Sequence, residues 1–257
     1  MRFFLVCFVA ISIVVALLAL RGLMPITTEP TISPAPSLST SPSPPSESLD
    51  IDENGVIYRV AWLLVHDPSA ITLIPNFDQK RTARSLIDSK ECTEVVNGGF
   101  YTKDNQPTGL FVTQGTTIRG SIPNTLLNGY LVVDQDNNAS ILASPPDHPA
   151  RLTLQTGPIL IRDGASVKLA IRDDEFARRV VVGITDKGTV VFLAIYDPDN
   201  PWSGPKLADT PYILSKVQVR LQFTDALNLD GGSASVFIRG DLSLEELTSV
   251  GSFFCIK

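Results

Sequence analysis

Histidine is almost absent from this chain of 257 residues: only His66 and His148 occur, one in a strand-like run and one in a proline-rich loop. A zinc site built on imidazole nitrogens is therefore not supported, and neither metal nor cofactor is expected. Cysteine is nearly as scarce, with Cys92 and Cys255 the two that lie outside an N-terminal apolar run. Basic side chains are outnumbered, 21 Lys and Arg against 27 Asp and Glu, which leaves a net charge of −6. A polyanionic partner needs a basic stripe, so nucleic acid is not expected as a ligand. No internal repeat is evident, which argues against a solenoid or propeller.

Long apolar runs are missing too, except for Phe3 to Leu20, flanked by Arg2 and Arg21. Its length falls at the low end of the roughly 17–25 residues that span a bilayer. It reads as a targeting segment (residues 1–23), either a cleaved signal peptide or a signal anchor. Leu17, Leu18 and Leu20 stand where a cleavage site wants small side chains, which favours retention. The expectation is a membrane-anchored protein with an extracytoplasmic domain, or a secreted one if the segment is cut. Residues 24–50 are rich in Pro, Ser and Thr, as in Ser41-Pro42-Ser43-Pro44-Pro45. Such a stretch cannot form a core and favours extended conformations of about 3.1 Å per residue, a semi-rigid stalk. A partner-binding proline motif is the alternative.

Residues 51–257 are long enough for one domain. Apolar runs rich in β-branched residues read as strands at Val56 to Val65, Ile71 to Pro75, Leu110 to Thr113, Tyr130 to Val133, Ile159 to Ile161, Val180 to Ile184 and Val190 to Tyr196. Asp136-Asn137-Asn138, Arg162-Asp163-Gly164 and Asp186-Lys187-Gly188 supply turns between them. Two segments read as helices, Gln79 to Ser89 and Pro211 to Val219, the second with Thr210 as its N-cap. The predicted fold class is α+β: a largely antiparallel sheet core with a few helices packed on it. Each helix precedes a strand ending in a glycine turn, and if those strands are neighbours both turns face one pocket. An exported address would permit a Cys92–Cys255 disulfide; two buried free thiols fit the sequence equally well.

The second of those turns, Asn228-Leu229-Asp230-Gly231-Gly232-Ser233-Ala234-Ser235, ends an apolar segment in a carboxylate and two glycines. Paired glycines permit positive φ and close approach, so their N–H groups can form an anion-receiving concavity beside Asp230. Alone, the segment reads equally as a capped β-turn. Three further blocks accompany it: Asn97-Gly98-Gly99-Phe100-Tyr101, Gln155-Thr156-Gly157-Pro158-Ile159-Leu160 and Arg179-Val180-Val181-Val182-Gly183-Ile184. In this order and spacing, from about Val56 to Ile238, they resemble the phosphodiester glycosidase domain family. Val180 and Ala234 depart from it, standing where many relatives have Thr and a hydroxyl residue. Neither removes a charge.

The resemblance implies a hydrolase that cleaves the glycosidic bond of a sugar-1-phosphodiester, with a carbohydrate or glycosyl-phosphate substrate and envelope or extracellular polysaccharide as its setting. A phosphate monoester has a second pKa of about 6, so it can depart unprotonated, and the usual pair of carboxylates is less compulsory. One carboxylate and one cation suffice. Asp230 is the candidate base or charge beside the oxocarbenium ion, Arg179 the phosphate contact, and Asn97 the third catalytic candidate. Arg178 should point to the opposite face. Candidate substrate-binding residues are Gly98, Gly99, Thr156, Gly157, Asn228, Gly231, Gly232 and Ser233, with glycine N–H groups as transition-state donors and Thr156 at the pocket rim. Trp202, in a proline-rich loop, either stacks on a sugar or tucks over the core. Two other readings compete: a non-catalytic carbohydrate-binding or envelope-organising module, and a structural scaffold whose glycine turns lie apart.

Overall fold

The computed structural model describes residues 47–257, which form one compact unit. The apolar run of Phe3 to Leu20 and most of the proline-rich stretch lie outside the described residues. Among the described residues no helix is long and apolar enough to cross a membrane. In chain order the first elements are β1 (Ser48–Glu53), β2 (Val56–Val65), β3 (Ile71–Pro75), α1 (Ala83–Asp88) and β4 (Glu94–Asn97). Then come β5 (Phe111–Thr113), β6 (Thr116–Arg119), β7 (Gly129–Asp134), β8 (Ala139–Leu142), β9 (Ala150–Thr156), β10 (Ile159–Arg162) and β11 (Ala165–Ser166). The remainder are β12 (Arg179–Thr185), β13 (Val190–Tyr196), α2 (Thr210–Leu221), β14 (Phe223–Asn228), β15 (Phe237–Arg239), β16 (Leu242–Leu244) and β17 (Ser252–Ile256).

These strands form three antiparallel sheets, in the orders β1-β2-β13-β12-β14-β10-β11, β16-β15-β4-β17-β3 and β6-β5-β9-β7-β8. The expected antiparallel core is present, but the α+β label overstates the helical share. Two helices of 6 and 12 residues attend three sheets, so the domain is β-rich. Strand β1 also begins three residues before the expected boundary at 51, with Ser48 paired to Ala61.

Alternation along the central strands explains the layering. From β2, Ala61, Leu63 and Val65 enter a core shared with Leu73, Val96, Phe111, Leu131, Leu154 and Phe254, so all three sheets meet there. Val60 and Trp62 face the other way, onto Ile213, Leu214, Val217 and Leu221 of α2. Both faces of β2 and β13 are thus buried, which is why these segments read as continuous apolar runs. A third cluster joins Ala83 and Leu86 of α1 to Val95 and Phe253, and the Cys92–Cys255 disulfide lies in it, with Cα atoms 5.3 Å apart.

Helix α1 starts four residues later than its sequence pattern suggests. Lys80 takes φ 49° and Asn76 accepts the Arg81 N–H at 2.7 Å, so the chain makes a closed turn first. Thr82 then caps the helix, its hydroxyl accepting from Ser85 N at 3.2 Å. Helix α2 begins with Thr210 inside it, one residue before the expected start, and ends at Gln222 in the left-handed region with φ 48°. The Gln218 side chain clasps Phe223 N and O, delivering the chain into β14.

Candidate active site

Strand β14 ends at Asn228 and β4 at Asn97, and the two strands belong to different sheets rather than lying side by side. Their turns nevertheless meet. The Asp230 N–H donates to Gly98 O at 3.2 Å, and Asn97 Nδ2 donates to Asp230 O at 2.8 Å. Asn97 is wholly buried, and its Oδ1 accepts from Val236 N at 2.7 Å. It acts as a bracket behind the Asp230 backbone, not as a group presented to a ligand. Gly98 fits because any Cβ would collide with the Ser252 hydroxyl, and Gly232 holds φ +64°.

Arg179, at the start of β12, enters the same place from the adjacent strand. Its Nε donates to Pro205 O at 2.9 Å, and Nη2 reaches Glu175 O and, at 3.3 Å, Asp174 Oδ1. Nη1 makes no hydrogen bond among the described residues, and it lies 3.8 Å from where a Cβ on Gly231 would sit. Burial pushes the guanidinium pKa down, opposed by Asp174 and Glu175. Asp174 is itself fixed, accepting the N–H groups of Leu207 at 2.9 Å and Ala208 at 2.8 Å.

Arg179 and Asp230 both line one open cleft of about 420 Å³, with Asn228, Gly231, Gly232 and Ser233 beside them. Phe100, Leu126, Ile171 and Leu207 give it an apolar wall, and Asp173, Asp174 and Glu175 an acidic rim. Burial raises the Asp230 carboxyl to about 7, against the opposing pull of the Gly231 N–H on its Oδ1 at 2.9 Å. The cleft thus holds a carboxyl suited to exchanging a proton near neutral pH and, elsewhere on its lining, a cation with a free donor.

Several expected roles need correction. The Gly98 N–H donates to Ser252 O at 2.7 Å, that of Gly231 to Asp230 Oδ1, and that of Gly232 to Arg178 O at 2.9 Å. These three donors are spent on holding the turns, and Gly99 packs against Leu154. Thr156 is fully buried, its hydroxyl donating to Asn228 O at 2.9 Å, so it does not reach the rim. Gly157 serves from behind, its carbonyl accepting Asn228 Nδ2 at 3.0 Å. Asn228 Nδ2 also donates to Leu229 O at 2.7 Å, while Oδ1 is buried with no donor.

Arg178 is not part of the cleft. It is wholly buried, donating to Ser235 Oγ at 2.7 Å, Ser235 O at 2.6 Å, Glu245 O at 2.7 Å and Pro201 O at 3.2 Å. Desolvation pulls it down to about 10. Trp202 lies over this guanidinium, 4.8 Å from ring centroid to Cζ, rather than lining the cleft. Sequence reasoning missed the acidic rim and the apolar wall. The signal available was the run Asp173-Asp174-Glu175 a few residues before the Arg178-Arg179 pair.

Comparison with known proteins gives a family and a fold. A phosphodiester glycosidase profile matches residues 90–252, which span the Asn97 turn, Arg179 and the Asp230 turn. The fold resembles the catalytic domain of zebrafish N-acetylglucosamine-1-phosphodiester alpha-N-acetylglucosaminidase, solved auto-inhibited by its pro-peptide, with TM-score 0.65 and 16% identity over 81% of each chain. It also resembles a protein from Burkholderia pseudomallei, with TM-score 0.55 and 13% identity over 78% of this chain and 74% of that one. A Synechocystis protein aligns with TM-score 0.50 and 16% identity over 80% of this chain and 61% of its own. No curated protein matches at the sequence level. With well over half of its length matched by that profile, the chain belongs to the phosphodiester glycosidase family.

Proposed function

We propose that the protein is an exported, membrane-tethered hydrolase that cleaves the glycosidic bond of a sugar-1-phosphodiester, acting on envelope or extracellular polysaccharide. The observation that carries the catalytic part is the shared cleft: Asp230, with its carboxyl raised to about 7, and Arg179, with Nη1 free, line the same walls. The Cys92–Cys255 disulfide supports an oxidising, extracytoplasmic address. The apolar run of Phe3 to Leu20 supports tethering.

Arg179 Nη1 engages a non-bridging phosphate oxygen, and the apolar wall receives the sugar face. Asp230, ionised, takes a proton from a water whose oxygen attacks the anomeric carbon. The bond from that carbon to the phosphate oxygen breaks with its electron pair on the phosphate, which needs no proton to leave. Burial suits Asp230 to this role, because a base is most effective with its pKa near working pH. The zebrafish relative's printed substrate suggests the first probe. Full-length protein should release N-acetylglucosamine from an N-acetylglucosamine-1-phosphodiester, and Asp230→Asn should be at least about a hundredfold slower. Equal rates would reject catalysis by this cleft. Saturable glycan binding without turnover, unaffected by Asp230→Asn, would favour the carbohydrate-binding module instead.

A further inference from the structure

The cleft is lined by four carboxylates, Asp173, Asp174, Glu175 and Asp230, against one cation, Arg179. Asp174 already pairs with that cation at 3.3 Å. Asp173 and Glu175 are exposed at the rim, and their carboxylates make no hydrogen bond or ion pair among the described residues. Two unmatched polar atoms point separately to a ligand: Arg179 Nη1, a donor, and Asn228 Oδ1, an acceptor on a residue only 2% exposed. Two carbonyls hold the Asn228 amide nitrogen, so its oxygen cannot trade places without setting oxygen against oxygen. A glycosyl phosphate offers both complements, an anionic oxygen and hydroxyl or amide donors.

We propose that Asp173 and Glu175 make this cleft charge-selective, so that it holds a singly charged phosphodiester and sheds the doubly charged phosphate monoester that cleavage creates. The inference rests on the glycosyl-phosphate reading above. In that hydrolysis the phosphate gains the electron pair of the broken anomeric bond and goes from one negative charge to two above its second pKa of about 6. The water proton rests on Asp230 and then passes to solvent, which returns the walls to their starting charge. A single half-neutralised guanidinium suits the monoanion better than the dianion. Repulsion from the rim then speeds release of the phosphate product and limits its rebinding. Exposed charges are screened over about 8 Å at physiological ionic strength, so the discrimination is severalfold and salt erodes it.

The test compares N-acetylglucosamine-1-phosphate with its methyl diester, the same sugar and linkage differing by one charge at pH 8. Calorimetry on full-length Asp230→Asn protein avoids turnover. The diester should bind about tenfold more tightly at low salt, with the gap closing to about threefold or less in 0.5 M NaCl. Adding Asp173→Asn and Glu175→Gln should close it similarly by tightening the monoester. Asparagine tolerates the left-handed backbone at 173, where φ is 54°. Equal binding of the two ligands, or a gap untouched by both salt and the double substitution, would overturn charge selectivity alone. Binding of neither ligand would overturn the glycosyl-phosphate reading along with it.

Discussion

The Asn97 turn and the Asp230 turn are spelled alike, an amide or acid followed by two glycines after a strand, yet they do opposite work. Around Asn97 every side-chain polar atom is paired inside the protein, and no solvent reaches it. At Asp230 the carboxylate keeps one oxygen beyond its Gly231 contact and faces a cleft. The same contrast divides Arg178 from Arg179, the first saturated by carbonyls and the second left with a free Nη1. One closed turn and one closed arginine back an open turn and an open arginine. Similar letters thus divide into support and chemistry according to which partners the fold supplies.

The contrast breaks first at the arginines. Arg178→Ala strands three carbonyls, that of Ser235 buried and those of Glu245 and Pro201 partly so, and should cost of the order of 3 kcal/mol or more, read as a large drop in Tm. Arg179→Ala loses fewer bonds, those to Pro205 O, Glu175 O and Asp174, and should lower Tm by less while raising KM. Next is the Asp230→Asn rate, where a hundredfold loss corresponds to about 2.7 kcal/mol of barrier. The same substitution should stabilise the fold by about 4 kcal/mol at pH 8 and by less than about 1 kcal/mol at pH 4. The sign follows from the carboxyl being raised in the folded state from 3.8 to about 7. Its favourable contribution is complete below the unfolded value and is lost as pH rises through the folded one. Asn97→Ala should do the reverse, lowering Tm while costing only about tenfold in kcat, since Asp230 is loosened rather than removed. The smallest expected signal is the pH profile: kcat/KM should climb with a midpoint near 7 and level off above it. A rate that falls through 7 would make Asp230 an acid instead.

Much of this was visible in the sequence where local chemistry decides. The runs Val56 to Val65, Ile71 to Pro75 and Val190 to Tyr196 coincide with strands, because each buries at least one face over most of its length. The Asp163-Gly164 and Asp186-Lys187-Gly188 segments turn as their glycines dictate. Short strands such as Thr116–Arg119, wholly exposed, carry no apolar period to read. At the site, the motifs singled out Asp230 and Arg179, and both line one cleft. They could not show that Thr156 and Asn97 point inward, because that depends on distant carbonyls at Asn228 and Asp230. Nor could they show the acidic rim, whose segment between β11 and β12 has no regular structure.

Strand β17 lies between β4 and β3, and its Cys255 closes on Cys92 across 163 positions of sequence. Two strands formed early in the chain therefore wait for a partner supplied near residue 254, with their hydrogen-bonding edges bare meanwhile. Sheets that depend on such distant pairing nucleate slowly, since loop closure comes before any reward. Biogenesis of this domain should then lean on whatever keeps unfinished edges apart, and cutting after Gly251 should yield aggregate rather than a weakened enzyme.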